Sequence, residues 1–135
     1  MVQRKASCSC GNVVVRCEGE PIRISMCHCL ACQRRTGSVF AAQARWPSEH
    51  VTVTVTVAGE VKEWTRTGDD GGKITQRFCP TCGATVSFTI DTYPGVVAVP
   101  VGAFADPAFP APTFSVYEAR KHAWVRAPEA AERMD

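Results

Sequence analysis

Seven of the eight cysteines in this chain fall into three short runs: Cys8-Ser9-Cys10-Gly11, Cys27-His28-Cys29-Leu30-Ala31-Cys32 and Cys79-Pro80-Thr81-Cys82-Gly83. Thiols so spaced can pair as disulfides or gather round a metal, and the choice follows the redox compartment. The first residues include Arg4 and Lys5, but no apolar run of signal-peptide length follows them. Export is therefore not expected, and the thiols should stay reduced in a soluble, cytoplasmic protein. A closed structural zinc takes four protein ligands, whereas a catalytic zinc keeps three and leaves one position open. Seven clustered thiols divide into one site of each kind.

The two outer pairs resemble each other. Cys8 and Cys10 are two residues apart, so on an extended backbone both sulfurs would face one side. The gap between Cys79 and Cys82 suits a knuckle turn, with Gly83 free to take the positive φ that lets backbone N–H groups approach the sulfurs. Each pair ends in glycine and leads into a strand-like run. We therefore expect one four-cysteine zinc that staples two ends of a sheet.

Packing does not explain the middle cluster, because small adjacent thiols bury little area and invite oxidation. Cys27, Cys29 and Cys32 read as three ligands, with the fourth position open to water, substrate, His28 or Cys17. Cys17 itself, in Val13-Val14-Val15-Arg16-Cys17-Glu18, reads first as a buried small hydrophobe. Three thiolates bring a Zn²⁺ site to about −1, which makes it a weak generator of hydroxide and a good host for an incoming thiol. Arg34 and Arg35, next along the chain, can offset that charge or hold a substrate carboxylate, the alternative being a solvated face. His28 reads either as a proton shuttle or as a residue that orients its two neighbours.

Strands must position these clusters. Val51-Thr52-Val53-Thr54-Val55-Thr56-Val57 alternates with the period of a strand whose valines are buried on one face. Asn12 to Arg16, Thr85 to Ile90 and Val96 to Val101 are further β-branched runs, and Pro100 would put the last at a sheet edge or bulge. Helix is confined to a turn over Ala31 to Thr36, ended by Gly37, and a short segment from Pro128 to Arg133. The expected fold is mainly β: a single small zinc-stabilised domain over residues 1–135, of sandwich-like antiparallel sheets with very little helix. It should be ordered along most of its length, apart from the last few residues.

Composition excludes other classes. A chain of 14.6 kDa, 45% hydrophobic and 21% charged, suits one globular core. The longest mostly apolar stretch, Gly95 to Ala105, is too short to span a bilayer. A net charge of +2 without a basic stripe argues against nucleic acid. Asp69 and Asp70 read as a solvated turn, His50 as a loop residue, and Trp46, Trp64, Phe78, Phe88 and Phe104 as core or cleft wall.

The three runs in this order, with Gln33-Arg34-Arg35-Thr36-Gly37-Ser38 after the second and Phe78 before the third, resemble the glutathione-dependent formaldehyde-activating enzyme family, which also contains centromere protein V. The resemblance covers about residues 6–125. It implies a small, mainly β fold, a structural zinc on Cys8, Cys10, Cys79 and Cys82, and a catalytic zinc on Cys27, Cys29 and Cys32. It also implies carbon–sulfur lyase activity of the S-(hydroxymethyl)glutathione synthase kind, with glutathione and formaldehyde, or a related thiol and small aldehyde, as partners. His122 and Trp124 match a loose C-terminal feature of the family and would line the cleft. A non-catalytic zinc-binding interaction module of the same fold is the competing reading.

Overall fold

The β-branched runs form strands, several of them with consecutive buried residues, such as Val13–Val15 in one and Val86–Phe88 in another, and the computed structural model, which describes residues 1–135, is mainly β. The chain runs β1 (Gln3–Ser7), β2 (Val13–Glu18), β3 (Arg23–Cys27), α1 (Leu30–Thr36), β4 (Ala41–Pro47), β5 (Val51–Val55), β6 (Lys62–Thr67), β7 (Lys73–Phe78), β8 (Thr85–Ile90), β9 (Val96–Pro100), β10 (Phe114–Val116) and β11 (Glu132–Arg133). Single 3-10 turns lie at Ser48–His50, Val101–Phe104 and Glu118–Arg120. No helix is long and apolar enough to cross a membrane.

The strands form two sheets. A three-stranded antiparallel sheet has the order β1-β2-β5, and an eight-stranded sheet the order β11-β10-β3-β4-β9-β8-β7-β6. The larger sheet is antiparallel from β3 to β6, but β10 pairs in parallel with both β3 and β11. Val13, Val15 and Cys17 from the small sheet share one core with Ile24, Ala44, Trp46, Val86 and Val99 from the large one. Trp46 is fully buried, and its Nε1–H donates to the Gly19 carbonyl at 2.9 Å, so its one polar atom is satisfied.

Several expectations need correction. The valine–threonine run forms β5, but only as far as Val55, and β5 is an edge strand on which Val53 is 41% exposed and Val57, beyond its end, 84%. The buried Asn12 side chain ends the pairing there: its Oδ1 accepts from the N–H groups of Val57 and Ala58, and its Nδ2 donates to the Ala58 carbonyl. Pro100 is not at a sheet edge; it is the last residue of β9, which lies between β4 and β8, so its missing donor falls where the ladder stops. Pro128 to Arg133 is not helical. A turn closed by Ala131 N–H to the Pro128 carbonyl leads into β11, where Glu132 and Arg133 pair with β10, so these late residues belong to the sheet. Trp64 is 55% exposed on the edge strand β6, outside both core and cleft.

Candidate metal centres and the cavity beside them

Two hairpin ends carry the outer cysteine pairs. Cys8 and Cys10 sit in the turn between β1 and β2, not on extended backbone, and Cys79 and Cys82 sit in the turn between β7 and β8. The two turns close alike: Cys8 N–H bonds the Val13 carbonyl as Cys79 N–H bonds that of Ala84, and Gly11 and Gly83 donate back to Cys8 and Cys79. Gly83, at φ 76°, takes the left-handed conformation that this turn requires.

The geometry fits zinc. The four sulfurs all lie within 4.8 Å of one another, with Cys8–Cys10 and Cys10–Cys79 both 3.7 Å apart. A tetrahedron with Zn–S bonds of about 2.3 Å has edges of roughly 3.8 Å. Backbone N–H groups stabilise thiolates here: Val13 donates to Cys8 Sγ, Thr81 donates to Cys79 Sγ, and the Ala84 N–H draws Cys82 down to about 6. The cluster therefore joins the small sheet to the large one, where the sequence pointed to two ends of one sheet.

Cys27 ends β3, Cys29 is the N-cap of α1 and Cys32 lies in its first turn. Their sulfurs also lie within 4.8 Å of one another, and all three residues are buried. Cys29 Sγ accepts from Cys32 N–H at 3.3 Å, and α1 ends at Gly37, whose φ of 68° allows its N–H to reach the Gln33 carbonyl. Hydrogen bonds from Cys27 and Cys32 lower the Cys29 thiol, while the bond to Cys29 raises that of Cys27. Cys17 does not join them: it lies in the core between the sheets, where burial pushes its thiol up to about 12. The middle cluster has three protein sulfurs and no fourth.

His28 points away from the cavity and is fully buried. Its Nε2 lies 2.9 Å from Ser115 Oγ and 3.3 Å from Glu118 Oε2, and Ser115 Oγ donates to the same carboxylate oxygen. That direction makes Nε2 the protonated nitrogen, and burial lowers the pKa of His28, the Glu118 charge partly opposing it. The network ties the cysteine loop to the C-terminal segment. Ser115→Ala should cost about 1–3 kcal/mol by stripping a buried donor and acceptor of their shared partner, which denaturant unfolding would measure.

The three cysteines open onto a cavity of about 650 Å³, a size that accepts a small molecule. Arg34 and Arg35 both line it; Arg34 is exposed, while Arg35 lies over the Phe88 ring at 5.0 Å with one buried guanidinium nitrogen unpartnered. The wall also carries Arg23, Arg45, Arg66 and Arg120, against Asp69, Asp70 and Asp135. Asp69 and Asp70 are in the hairpin turn expected, though they face the cavity, and Arg120 lies 3.5 Å from Asp69. His122 and Trp124 do not line the cavity: His122 bonds Gln33 and Trp124 is 71% exposed.

Sequence reading missed Tyr117, Arg23, Gln43 and Arg45. Tyr117 packs against the three-cysteine cluster in the left-handed region at φ 55°, a strained conformation for a bulky residue. The other three were legible only once β3 and β4 were recognised, since Arg23, Ser25 and Cys27 alternate onto one face opposite Arg45, Gln43 and Ala41.

A family model described as glutathione-dependent formaldehyde-activating enzyme matches residues 3–120. No curated protein matches the chain. A crystal structure of a Rhodobacter sphaeroides protein, from a structural genomics programme, is similar at 23% identity and a TM-score of 0.56, over 73% of this chain and 85% of that one. At that identity the likeness is one of fold.

Proposed function

This chain belongs to the glutathione-dependent formaldehyde-activating enzyme family, and on that premise we propose that it is a zinc-dependent enzyme of carbon–sulfur lyase type. It would join glutathione, or a related thiol, to formaldehyde or another small aldehyde within a single domain. The observation that carries this reading is a set of three converging cysteines, with no fourth protein sulfur, on the wall of an arginine-rich cavity. In this reading Cys8, Cys10, Cys79 and Cys82 hold a structural zinc, and Cys27, Cys29 and Cys32 hold a catalytic one. Bound zinc would supply a soft cation that keeps the substrate thiol ionised near neutral pH.

The chain's own residues do the rest. The cavity walls hold thiolate and carbonyl carbon together, which raises their effective concentration. The sulfur attacks that carbon, a C–S bond forms, the carbonyl π electrons move to oxygen, and the oxygen takes a proton to give the hemithioacetal. Arg34 and Arg35 offset the negative charge and steer an anionic thiol inward. His28, held by Ser115 and Glu118 away from the cavity, orients its neighbours Cys27 and Cys29.

Tyr117 is the residue best placed to give the proton. It lines the cavity against the cysteines, and burial raises its pKa, which keeps the hydroxyl protonated. Tyr117→Phe should lower the rate by about 10²-fold with the unfolding midpoint unchanged, read by kinetics beside thermal melts.

Exchange NMR of glutathione and formaldehyde with the zinc-loaded protein tests the whole reading. Adduct formation should accelerate in proportion to protein. A protein with both clusters loaded that accelerates neither glutathione nor another thiol would overturn it in favour of a binding module.

A further inference from the structure

The cavity extends well beyond the three cysteines. Along β3 and β4 the register pairs Cys27 with Ala41, then Ser25 with Gln43, then Arg23 with Arg45, and of these Cys27, Gln43, Arg23 and Arg45 line the cavity. Cys27 lies four residue steps along the strand from Arg23, roughly 13 Å. An extended tripeptide is on the order of 10 Å long, and arginine side chains reaching inward close the difference.

This far end is built at a cost to the empty protein. Arg23 and Arg45 are directly opposite each other on antiparallel strands, an arrangement that disfavours like charges. Neither has a carboxylate within 4.0 Å, although Arg4, Arg77, Arg120 and Arg133 all do. Burial and then the charge of Arg23 lower the pKa of Arg45. Aromatic faces fix both planes, Arg23 lying 3.9 Å from the Phe114 ring centroid and Arg45 5.1 Å from that of Tyr93. Arg23 Nε donates to Ser25 Oγ at 2.9 Å, which leaves its terminal nitrogens, and the guanidinium edge of Arg45, for a carboxylate acceptor.

Gln43 supplies an independent pointer. It is 4% exposed on the cavity wall, and its Oε1 is buried with no hydrogen-bond partner. Buried amide oxygens are almost always satisfied. In the β3–β4 register Gln43 lies between Cys27 and the arginine pair, and a ligand N–H that reached this part of the wall would satisfy it.

We propose that Arg23 and Arg45 form a carboxylate subsite at the end of the cavity remote from the cysteines, with Gln43 accepting a ligand N–H between the two. The inference rests on the thiol-substrate reading for what happens at the cysteines, and it narrows the substrate to a peptidic thiol with both a carboxylate and an amide or ammonium N–H. A bare small thiol would leave Gln43 and both arginines unmatched.

The thiol-free tripeptide γ-glutamyl-alanyl-glycine separates this subsite from the metal chemistry. Titrated into zinc-loaded protein and followed by NMR, it should perturb the Gln43 side-chain amide and the Arg45 Nε–H. Arg45→Met should weaken its binding by about tenfold or more, and Arg45→Lys by less. Lys5→Met, an exposed position on β1 with the same change in charge, should leave binding as it was. Arg45→Met should also melt at a higher temperature than the ligand-free parent, because it removes half of a like-charge pair. Unperturbed Gln43 and Arg45 signals, or parental tripeptide binding by a folded Arg45→Met protein, would overturn the subsite. Tripeptide bound there by a protein that takes no 2-mercaptoethanol would uphold the subsite and sink the thiol reading instead.

Discussion

Cys82→Ser is expected to unfold the protein. Cys82 is one of four sulfurs that join the β1–β2 turn to the β7–β8 turn, and these turns belong to different sheets. Two of the four, Cys8 and Cys79, are also members of the core between those sheets. Structural zinc in small domains contributes about 10–16 kcal/mol of apparent binding free energy, and that energy is folding energy. Ordinary domains are stable by only about 5–15 kcal/mol. Losing one thiolate weakens the metal and leaves the other three to repel one another where backbone N–H groups have stabilised their charge. The far-UV circular dichroism of Cys82→Ser should therefore lose its β signature at room temperature, and a strong chelator should do the same to the parent. A cooperatively folded, zinc-poor Cys82→Ser protein with a near-parental midpoint would show that the apolar core alone holds the sheets together.

The cysteine clusters were legible in sequence because their spacing is local. One or two residues between cysteines constrain a turn more than distant packing does, and the sulfurs of the runs at Cys8, Cys27 and Cys79 do converge. Strands marked off by turn residues, such as Thr85–Ile90 between Gly83 and Asp91, were legible for the same reason. What failed depended on neighbours. Val51–Val57 alternates as a half-buried strand should, yet β5 found a partner on one side only, and alternation does not say which face is covered. Pro128–Arg133 has a helical start, but pairing with β10 outweighed a propensity worth only tenths of a kcal/mol per residue.

The cavity was the least legible part. Arg34 and Arg35 were visible because they follow the cysteines directly. Arg23 and Arg45 are far apart in sequence and become neighbours only through the β3–β4 register. His28 posed a different difficulty. Its position between Cys27 and Cys29 left two roles open, and the residue that holds its ring, Ser115, is 87 residues away along the chain.

Cys29→Ser is expected to keep the fold, lose one zinc and reduce catalysis to the uncatalysed rate. The contrast with Cys82→Ser lies in what each sulfur supports. Cys29 caps α1, and its Sγ accepts the Cys32 N–H; a serine hydroxyl is among the best N-caps, so the helix start survives the change. The loop is also held from behind without its sulfurs, through His28 to Ser115 and Glu118 and through the Gln33 side chain to the His28 carbonyl. No sheet depends on this cluster, since β3 is already paired with β4 and β10. The metal does depend on it: with only three protein sulfurs, removal of one leaves two, too few to retain zinc against solvent. Metal analysis should fall from two zincs per chain to one, circular dichroism should match the parent, and exchange NMR should show no acceleration of adduct formation. Collapse of Cys29→Ser like that of Cys82→Ser would mean that the middle cluster is a second staple, and an enzyme built around an open coordination position would then have no place for its substrate.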